Sequence, residues 1–482
     1  VTENRYYLPL DEPHEQGVHD MIPGARDFWF LPLGGCGEIG MNLNLYAHAG
    51  QWLMVDCGVT FEKSPQPGGG NRVEMPDPVF IANRSEALVG LIATHAHEDH
   101  IGAIAHLWEQ LRCPIYTTPF TRNVLLRKLR EKGIAAPVLT VHPGETVALG
   151  AFSVTWLPIT HSTPETHALL IETAAGTVLH TADWKLDDAP ITGPAIVPAQ
   201  FERLARQRLD AIVCDSTNAT QPGHSVSEGE LFEGLLAAVR GSEGRVVVSC
   251  FASNVARLQT LGHVARLSGR YLGLLGRALD TLVSCARGAG YLEEDFDPVQ
   301  AEHLGYLPPG EVLALATGSQ GEPGAALHRL AMDSHPCVSL AAGDHVLFSA
   351  KTIPGNEDAV ARLVAAFESR GIRVTHPDRV WVPELGPEPE PPRRPLHASG
   401  HPCAEELRQM YTWVRPRLAI PVHGEPRHLR ANAVIAQEAG VPLQAIGSNG
   451  DLFDLLTGRI TRGAAPVGRL WLEERKGLLH RC

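Results

Sequence analysis

From residue 28 onward the chain alternates short apolar runs with turns rich in Gly, Asn and Asp. The runs at 28–33, 43–47, 52–55 and 88–93 are strand-length, and their borders are those of hairpins and sharp turns. Apolar and charged residues then recur at helical spacing over 101–110 and 122–132. Strand-length runs return at 152–157, 168–172 and 177–181. Strand pairs interrupted by single helices predict an α/β sandwich rather than a regular βαβ winding. Near 211 the style changes. Strands at 211–214, 245–250, 311–316 and 346–349 alternate with helices at 228–240 and 255–267, as in a parallel sheet covered by helices. A Pro-rich stretch over 383–395 closes that block, and 397–440 returns to strand, motif and helix.

Composition narrows the class. A length of 482 residues favours two or three domains. A net charge of −13 excludes a uniformly basic protein that coats nucleic acid. The nine cysteines are widely spaced and form no C-x-x-C pair, which excludes a disulfide framework or zinc ribbon. They read as small buried hydrophobes in a reducing cytoplasm. No apolar run reaches the roughly 18–20 residues of a membrane span. The first residues lack a basic-then-apolar signal pattern, and 1–26 read as a polar tail. The expectation is a soluble cytoplasmic protein with no membrane partner.

The candidate chemistry lies at strand ends. Gly35-Cys36-Gly37-Glu38-Ile39-Gly40 matches a dinucleotide-binding pattern, but the next residues alternate as another strand, so a glycine-rich hairpin is read here. The stronger signal is His95-Ala96-His97-Glu98-Asp99-His100, set between the apolar run 88–93 and a helix. Imidazoles and carboxylates gathered this closely suit zinc, manganese or iron. Downstream, His161 follows a strand in Ile159-Thr160-His161-Ser162, and Asp183 follows another in His180-Thr181-Ala182-Asp183-Trp184. Asp56 ends a strand in Val55-Asp56-Cys57-Gly58, and His423 ends one in Pro421-Val422-His423-Gly424-Glu425. Alone, His161 or Asp183 is an ordinary strand-end residue.

His-x-His-x-Asp-His followed by these residues resembles the signature of the metallo-β-lactamase fold. Further segments match the β-CASP nucleases, and most closely the ribonuclease J family. They are Cys214-Asp215-Ser216-Thr217-Asn218-Ala219, Phe251-Ala252-Ser253-Asn254, Thr317-Gly318-Ser319-Gln320-Gly321-Glu322-Pro323, Ile353-Pro354-Gly355-Asn356-Glu357 and Ser399-Gly400-His401. The resemblance spans roughly 28–450. It implies an α/β fold: a metallo-β-lactamase αββα sandwich over 27–213 and 386–450, an inserted parallel-sheet β-CASP domain over 214–385, and a short segment at 451–482.

The same resemblance implies two divalent ions, zinc first and manganese as the alternative. His95, His97 and His161 would hold one, Asp99, His100 and His423 the other, with Asp183 bridging. Asp99, His401 and Asp215 are the expected catalytic residues, His401 contacting the scissile phosphate or acting as general acid and Asp215 orienting it. Ser253, Asn254, Gly318, Ser319, Gln320, Gly321, Ser399, Gly400 and His401 are expected to hold phosphate, the 318–322 loop as a nest of N–H groups. The implied activity is 5′-to-3′ exonuclease, with endonuclease activity, on single-stranded RNA carrying a 5′-monophosphate. Two competitors stand beside it: a hydrolase of a small ester, lactone or phosphodiester, and a non-catalytic RNA-binding relative. The family usually continues into a small C-terminal domain that aids assembly, and only Asp451–Cys482 follow here. Assembly through that domain is not expected, while a homodimer through the core surface stays open. Pro402 removes a backbone donor beside His401. Arg415, Arg417, Arg427 and Arg430 read as a basic feature around the last ligand strand.

Overall fold

The computed structural model describes residues 21–63, 71–292, 296–353, 355–377, 394–473 and 477–482. The expected tail before residue 21 and the Pro-rich stretch through residue 393 lie outside the described residues. Strand Trp29–Gly34 pairs antiparallel with Leu43–His48, and that strand with Gln51–Val55. The same sheet continues in parallel through Leu88–Ile92, Ile115–Thr117 and Val138–Thr140. The glycine-rich turn at 35–40 folds straight back into the antiparallel neighbour. Gly35, Gly37 and Gly40 take φ of 83°, 91° and 88°, a region that favours glycine.

A second sheet starts as an antiparallel meander of Thr146–Leu149, Phe152–Pro158, His167–Glu172 and Thr177–His180. It then becomes parallel through Ala211–Asp215, Leu418–Val422 and Leu443–Gln444. The period of two along each strand decides the layering. Phe30, Tyr46, Leu53 and Val55 of the first sheet meet Val154, Trp156, Leu169, Val213 and Ile420 of the second in one buried layer. The alternate residues Leu31, Leu33, Leu43 and Leu45 pack with Ile104, Leu107, Val124 and Leu125 on helices Ile104–Leu111 and Pro119–Glu131. On the far side, Leu157, Leu170, Leu179 and Ile212 pack with Phe201, Leu204, Leu407 and Met410 of helices Pro198–Arg206 and Ala404–Val414. The result is an αββα sandwich.

A third sheet is all parallel, in the order Tyr271–Leu275, Val312–Ala316, Val246–Ser249, His345–Phe348 and Arg373–Thr375. Helices Leu231–Arg240, Val255–Leu267 and Arg277–Gly288 cover one face. Ala326–Ala331 and Glu357–Glu368 cover the other.

Several elements differ from the sequence expectation. The helix expected over 101–110 is divided into Glu98–Ile101 and Ile104–Leu111. Tyr271–Leu275 was hidden by Gly273, where a Cβ would lie 2.3 Å from Leu304 Cδ1; glycine here lets Leu304 close over the strand. Residues beyond 450 do more than form one hairpin. Leu452–Asp454 joins the open edge of the first sheet beside Trp29–Gly34. Arg469–Glu473 and Leu478–Arg481 complete a four-stranded sheet with Asn71–Pro76 and Thr60–Lys63. Both additions are long-range pairings of short, partly polar strands, which no local pattern announces. Among the described residues no helix is long and apolar enough to cross a membrane. All nine cysteines are free thiols, and seven are buried.

Candidate metal centre

Parallel strands deliver their C-terminal ends to one place. His95 to His100 leave Leu88–Ile92, Asp56 leaves Gln51–Val55, and Asp183, Asp215 and His423 leave or end three neighbouring strands of the second sheet. The turns are tight. Asp56, Ala182 and His423 all adopt left-handed φ, at 64°, 51° and 53°. Such backbone is held only where surrounding contacts over-determine it.

Asp56 is the hub beneath the cluster. Its carboxylate accepts from Thr94 N at 2.8 Å, Thr94 Oγ1 at 2.9 Å and His100 Nδ1 at 2.7 Å. Thr94 Oγ1, already donating to Asp56, accepts from His95 Nδ1 at 3.0 Å. His161 Nδ1 donates to the Gly400 carbonyl at 2.6 Å. The bonds to His95 and His161 fix their ring tautomers and turn their Nε2 lone pairs inward, and the bond from Asp56 fixes the orientation of the His100 ring. The Nε2 atoms of His95 and His161 both lie 3.1 Å from His97 Nδ1. Asp183 Oδ2 stands 3.8 Å from His95 Nε2 and 3.9 Å from His161 Nε2. One N–H at most can serve this convergence, so the lone pairs and carboxylate fit a cation.

A second donor group shares Asp183. His100 Nε2 is 3.1 Å from Asp183 Oδ2, and His423 Nε2 is 3.2 Å from Asp99 Oδ2. His423 is held by its own N–H to the Gly35 carbonyl at 2.6 Å and by Thr217 Oγ1 at 2.7 Å from Nδ1. The donor atoms of His95, His97, His161 and Asp183 lie within 4.8 Å of one another, as do those of Asp99, His100, Asp183 and His423. A third such group joins Asp183, Asp215, His401 and His423.

The charges divide the cluster. Burial, with the neighbouring imidazoles, holds His95 and His161 well below the ordinary histidine range, and burial brings His97 down to about 4. Burial also disfavours charge on His100 and His423, but the carboxylates outweigh it. Asp183, Asp99 and Asp56 hold His100 well up, while Asp183, Asp215 and Asp99 raise His423 to about 10. Asp183 is buried, which would raise it, yet His100, His423 and His401 hold it well below the usual carboxylate range.

His401 stands at the rim with a fifth of its side chain exposed. Its Nδ1 donates to Asp215 Oδ2 at 2.8 Å, and Asp215 Oδ1 accepts from Thr217 N at 2.8 Å and Thr217 Oγ1 at 2.7 Å. Against the effect of burial, Asp215 and Asp183 raise the basicity of His401. Its ring stacks on His423 at 5.5 Å between centroids. Gly400 must be glycine, because a Cβ there would lie 2.6 Å from His161 Cε1.

All seven expected ligands, with His401 and Asp215, therefore meet in one place. The expected phosphate residues divide. Ser399 and Gly400 border the cluster, with Ser399 Oγ accepting from Asn218 Nδ2 at 2.8 Å. In the third-sheet loops, Asn254 Oδ1 caps a helix by accepting from Arg257 N at 2.9 Å. Gln320 is engaged on both sides, donating to the Lys351 carbonyl at 2.9 Å and accepting from Ile353 N at 2.8 Å. Gln320 Nε2 also reaches Ser319 Oγ at 3.3 Å. Gly318 and Gly321 shape the turn with φ of 106° and 77°, and half-buried Ser253 precedes the capped helix.

Four residues that no role was read for prove to brace the site: Asn42, Thr94, Thr217 and Asn218. Asn42 Nδ2 donates to the Asp99 carbonyl at 3.1 Å, and Asn218 Nδ2 reaches the His401 carbonyl at 3.2 Å. Thr217 and Asn218 sit inside a quoted motif, the signal available for them; Asn42 had none. The expected basic feature needs correction. Arg415 and Arg417 enter Leu418–Val422 at the end opposite His423, roughly 17 Å away for five residues of strand. There Arg417 donates to the Leu455 and Leu456 carbonyls.

Three family models match the chain. The metallo-β-lactamase superfamily covers 41–214, the ribonuclease J β-CASP domain 243–367, and the Zn-dependent metallo-hydrolase RNA specificity domain 393–445. Together with the sandwich and its donor cluster, they define a metallo-β-lactamase-fold hydrolase with a β-CASP domain, a nuclease architecture. Ribonuclease J of Sinorhizobium meliloti is 39% identical over 460 residues, covering 94% of this chain and 78% of that protein. Ribonuclease J of Mycolicibacterium smegmatis is 39% identical over 448 residues, covering 92% and 77%. The chain belongs to the ribonuclease J family. A crystal structure of a protein of unknown function from Enterococcus faecalis shares the fold, with TM-score 0.59 and 15% identity over 89% of this chain and 99% of that one.

Proposed function

We propose that this protein is a metal-dependent ribonuclease of the cytoplasm that hydrolyses single-stranded RNA, removing nucleotides from a 5′-monophosphorylated end and also cutting internally. The observation that carries the reading is the convergence of His95, His97 and His161 nitrogens with Asp183, in a chain of the ribonuclease J family. His95, His97, His161 and Asp183 would hold one divalent ion, and Asp99, His100, His423 and Asp183 a second, zinc being the better match to so many imidazoles. Such ions supply Lewis acidity toward phosphate and make water a stronger nucleophile near neutral pH. The metallo-β-lactamase domain would occupy 27–213 and 386–450, with the β-CASP domain at 214–385 closing over RNA.

The chain's own residues supply positioning and proton control. Asp56, Thr94 and the Gly400 carbonyl lock three imidazoles in the ligating tautomer. His401, with Nδ1 committed to Asp215, presents Nε2–H to a phosphate oxygen or to the departing 3′-oxygen. Asp215 keeps that imidazole oriented and proton-bearing, as a carboxylate does for a catalytic histidine. Ser399, Gly400, Ser253 and the backbone of 318–321 would hold phosphate, with Asn254 and Gln320 shaping the loops through their internal bonds.

The test compares labelled RNA, single-stranded DNA and bis-p-nitrophenyl phosphate, with metal content measured on the same preparation. Two metals per chain and RNA cleavage that stops after chelation and returns with zinc or manganese are expected. Turnover of the small diester without RNA cleavage would instead support a small-substrate hydrolase.

A further inference from the structure

Behind the donor cluster a buried polar chain links the segment after Asp183 to the segment before His401. Lys185 N donates to the Thr160 carbonyl at 2.9 Å, beside His161. Lys185 Nζ lies 3.0 Å from Asp187 Oδ2 and 3.0 Å from the Val226 carbonyl. Asp187 also accepts from Glu228 N at 3.0 Å and from Ser227 Oγ. Glu228 then takes a fork of bonds from Arg257, Nε to Oε1 at 2.6 Å and Nη2 to Oε2 at 3.1 Å. Arg257 Nη1 reaches the Ser349 carbonyl at 2.6 Å and Ser349 Oγ at 2.5 Å. Ser349 Oγ donates to the Leu396 carbonyl at 2.6 Å, and His397 Nδ1 to the Ser349 carbonyl at 3.3 Å. Four residues later stands His401.

The location is informative. Arg257 is 1% exposed, and Lys185, Asp187, Glu228 and Ser349 are also buried. Arg257 and Ser349 belong to the third sheet and its helix layer, while Lys185 and Asp187 follow a strand of the second sheet. A buried ion pair between packed layers is weak evidence for stability, since its desolvation cost rivals its attraction. It does fix geometry, because a guanidinium fork binds in one orientation.

We infer that Arg257 is a positioning residue for His401: through Glu228 and Asp187 on one side and Ser349 on the other, it sets where the 396–401 segment carries the imidazole relative to Asp183. The inference rests on the role proposed above for His401. Neither Arg257 nor Ser349 touches the donor cluster through the bonds described; both act on the 396–401 segment, which carries His401 and whose Gly400 carbonyl also holds His161.

The test is a double-mutant cycle on the full chain. Ser349→Ala removes the hydroxyl between Arg257 and Leu396 while leaving the ion pair. It is expected to lower kcat on RNA by about 10- to 100-fold, the scale of a small misplacement, with two bound metals retained. Arg257→Lys is expected to do the same, because an ammonium cannot serve Glu228 and Ser349 in the same fork. In a His401→Ala background, Ser349→Ala should cost nothing further. Equal losses in both backgrounds, unchanged kcat in Ser349→Ala, or loss of metal in that variant would overturn the inference. If His401→Ala alone leaves kcat unchanged, the role given to His401 falls, and this inference with it.

Discussion

On one side of Asp183 stand His95, His97 and His161, three imidazoles whose nitrogens face each other, with the tautomers of His95 and His161 set from outside. On the other stand Asp99, His100 and His423, where each imidazole nitrogen faces a carboxylate and opposite charges already offset one another. The first half would gain more from a cation, because its convergent nitrogens have little else to offset them. The second half would have to exchange existing charge-assisted hydrogen bonds for metal bonds, so its gain would be smaller. Two sites sharing a residue need not have similar affinities, even with the same number of donors.

The largest effect should come from the shared residue. Asp183→Asn removes a charge from both halves, and RNA cleavage should fall by about 10³-fold or more, the scale of lost metal catalysis. Elemental analysis should then show fewer than one metal per chain; two retained metals would break the idea of a shared ligand. Next, mild chelation of the wild-type protein should strip one metal well before the other. His97→Ala should abolish the resistant fraction, and Asp99→Ala should spare it. The reverse pattern would invert the comparison.

A smaller effect should come from beneath the second half. Asp56→Ala frees His100 Nδ1 and should weaken metal there by about 10- to 100-fold, as loss of an outer hydrogen-bond partner does. Isothermal titration would read this as a larger loss at that site than at the first, which Asp56 reaches only through Thr94 and its bond to His95. The smallest effect lies in the buried chain behind the cluster. Burial alone would raise Asp187, but Lys185 and the donors Ser227 and Glu228 N hold its carboxyl below the usual range. Its folded-state pKa thus lies under its unfolded one, so its contribution is full above the unfolded value and is lost as pH falls through the folded one. The stability gap between wild type and Asp187→Asn should close as pH drops below about 4. A gap constant with pH would show that Asp187 acts by shape alone.

How legible the molecule was in its sequence follows the same division. The clustered residues were legible because four of them fall within 95–100, and a motif order resembling the metallo-β-lactamase signature pointed to His161, Asp183 and His423. The apolar runs at 28–33 and 43–47 likewise marked two strands, found at Trp29–Gly34 and Leu43–His48. What escaped was whatever depends on partners far away in the chain. Asn42 reaches Asp99 across 57 positions, and Asn218 reaches Ser399 across 181. Tyr271–Leu275 is too short to stand out, with a glycine at its centre. The four arginines near 415–430 seemed one feature only because they are close in sequence; a strand carries two of them to the opposite end from His423.

The strand Leu418–Val422 lies in parallel beside Ala211–Asp215, with two hundred residues of chain between them. During synthesis, Ala211–Asp215 leaves the ribosome long before its neighbour exists, and it waits as an open sheet edge able to pair with other chains. His423 arrives on that same late strand. A nascent chain of this protein therefore holds the imidazoles of 95–100 and His161 while still lacking a donor to the second half. Birth order leaves the growing polypeptide without the His423 imidazole and with an unpaired sheet edge over the same interval, and both conditions end when Leu418–Val422 slots into the sheet.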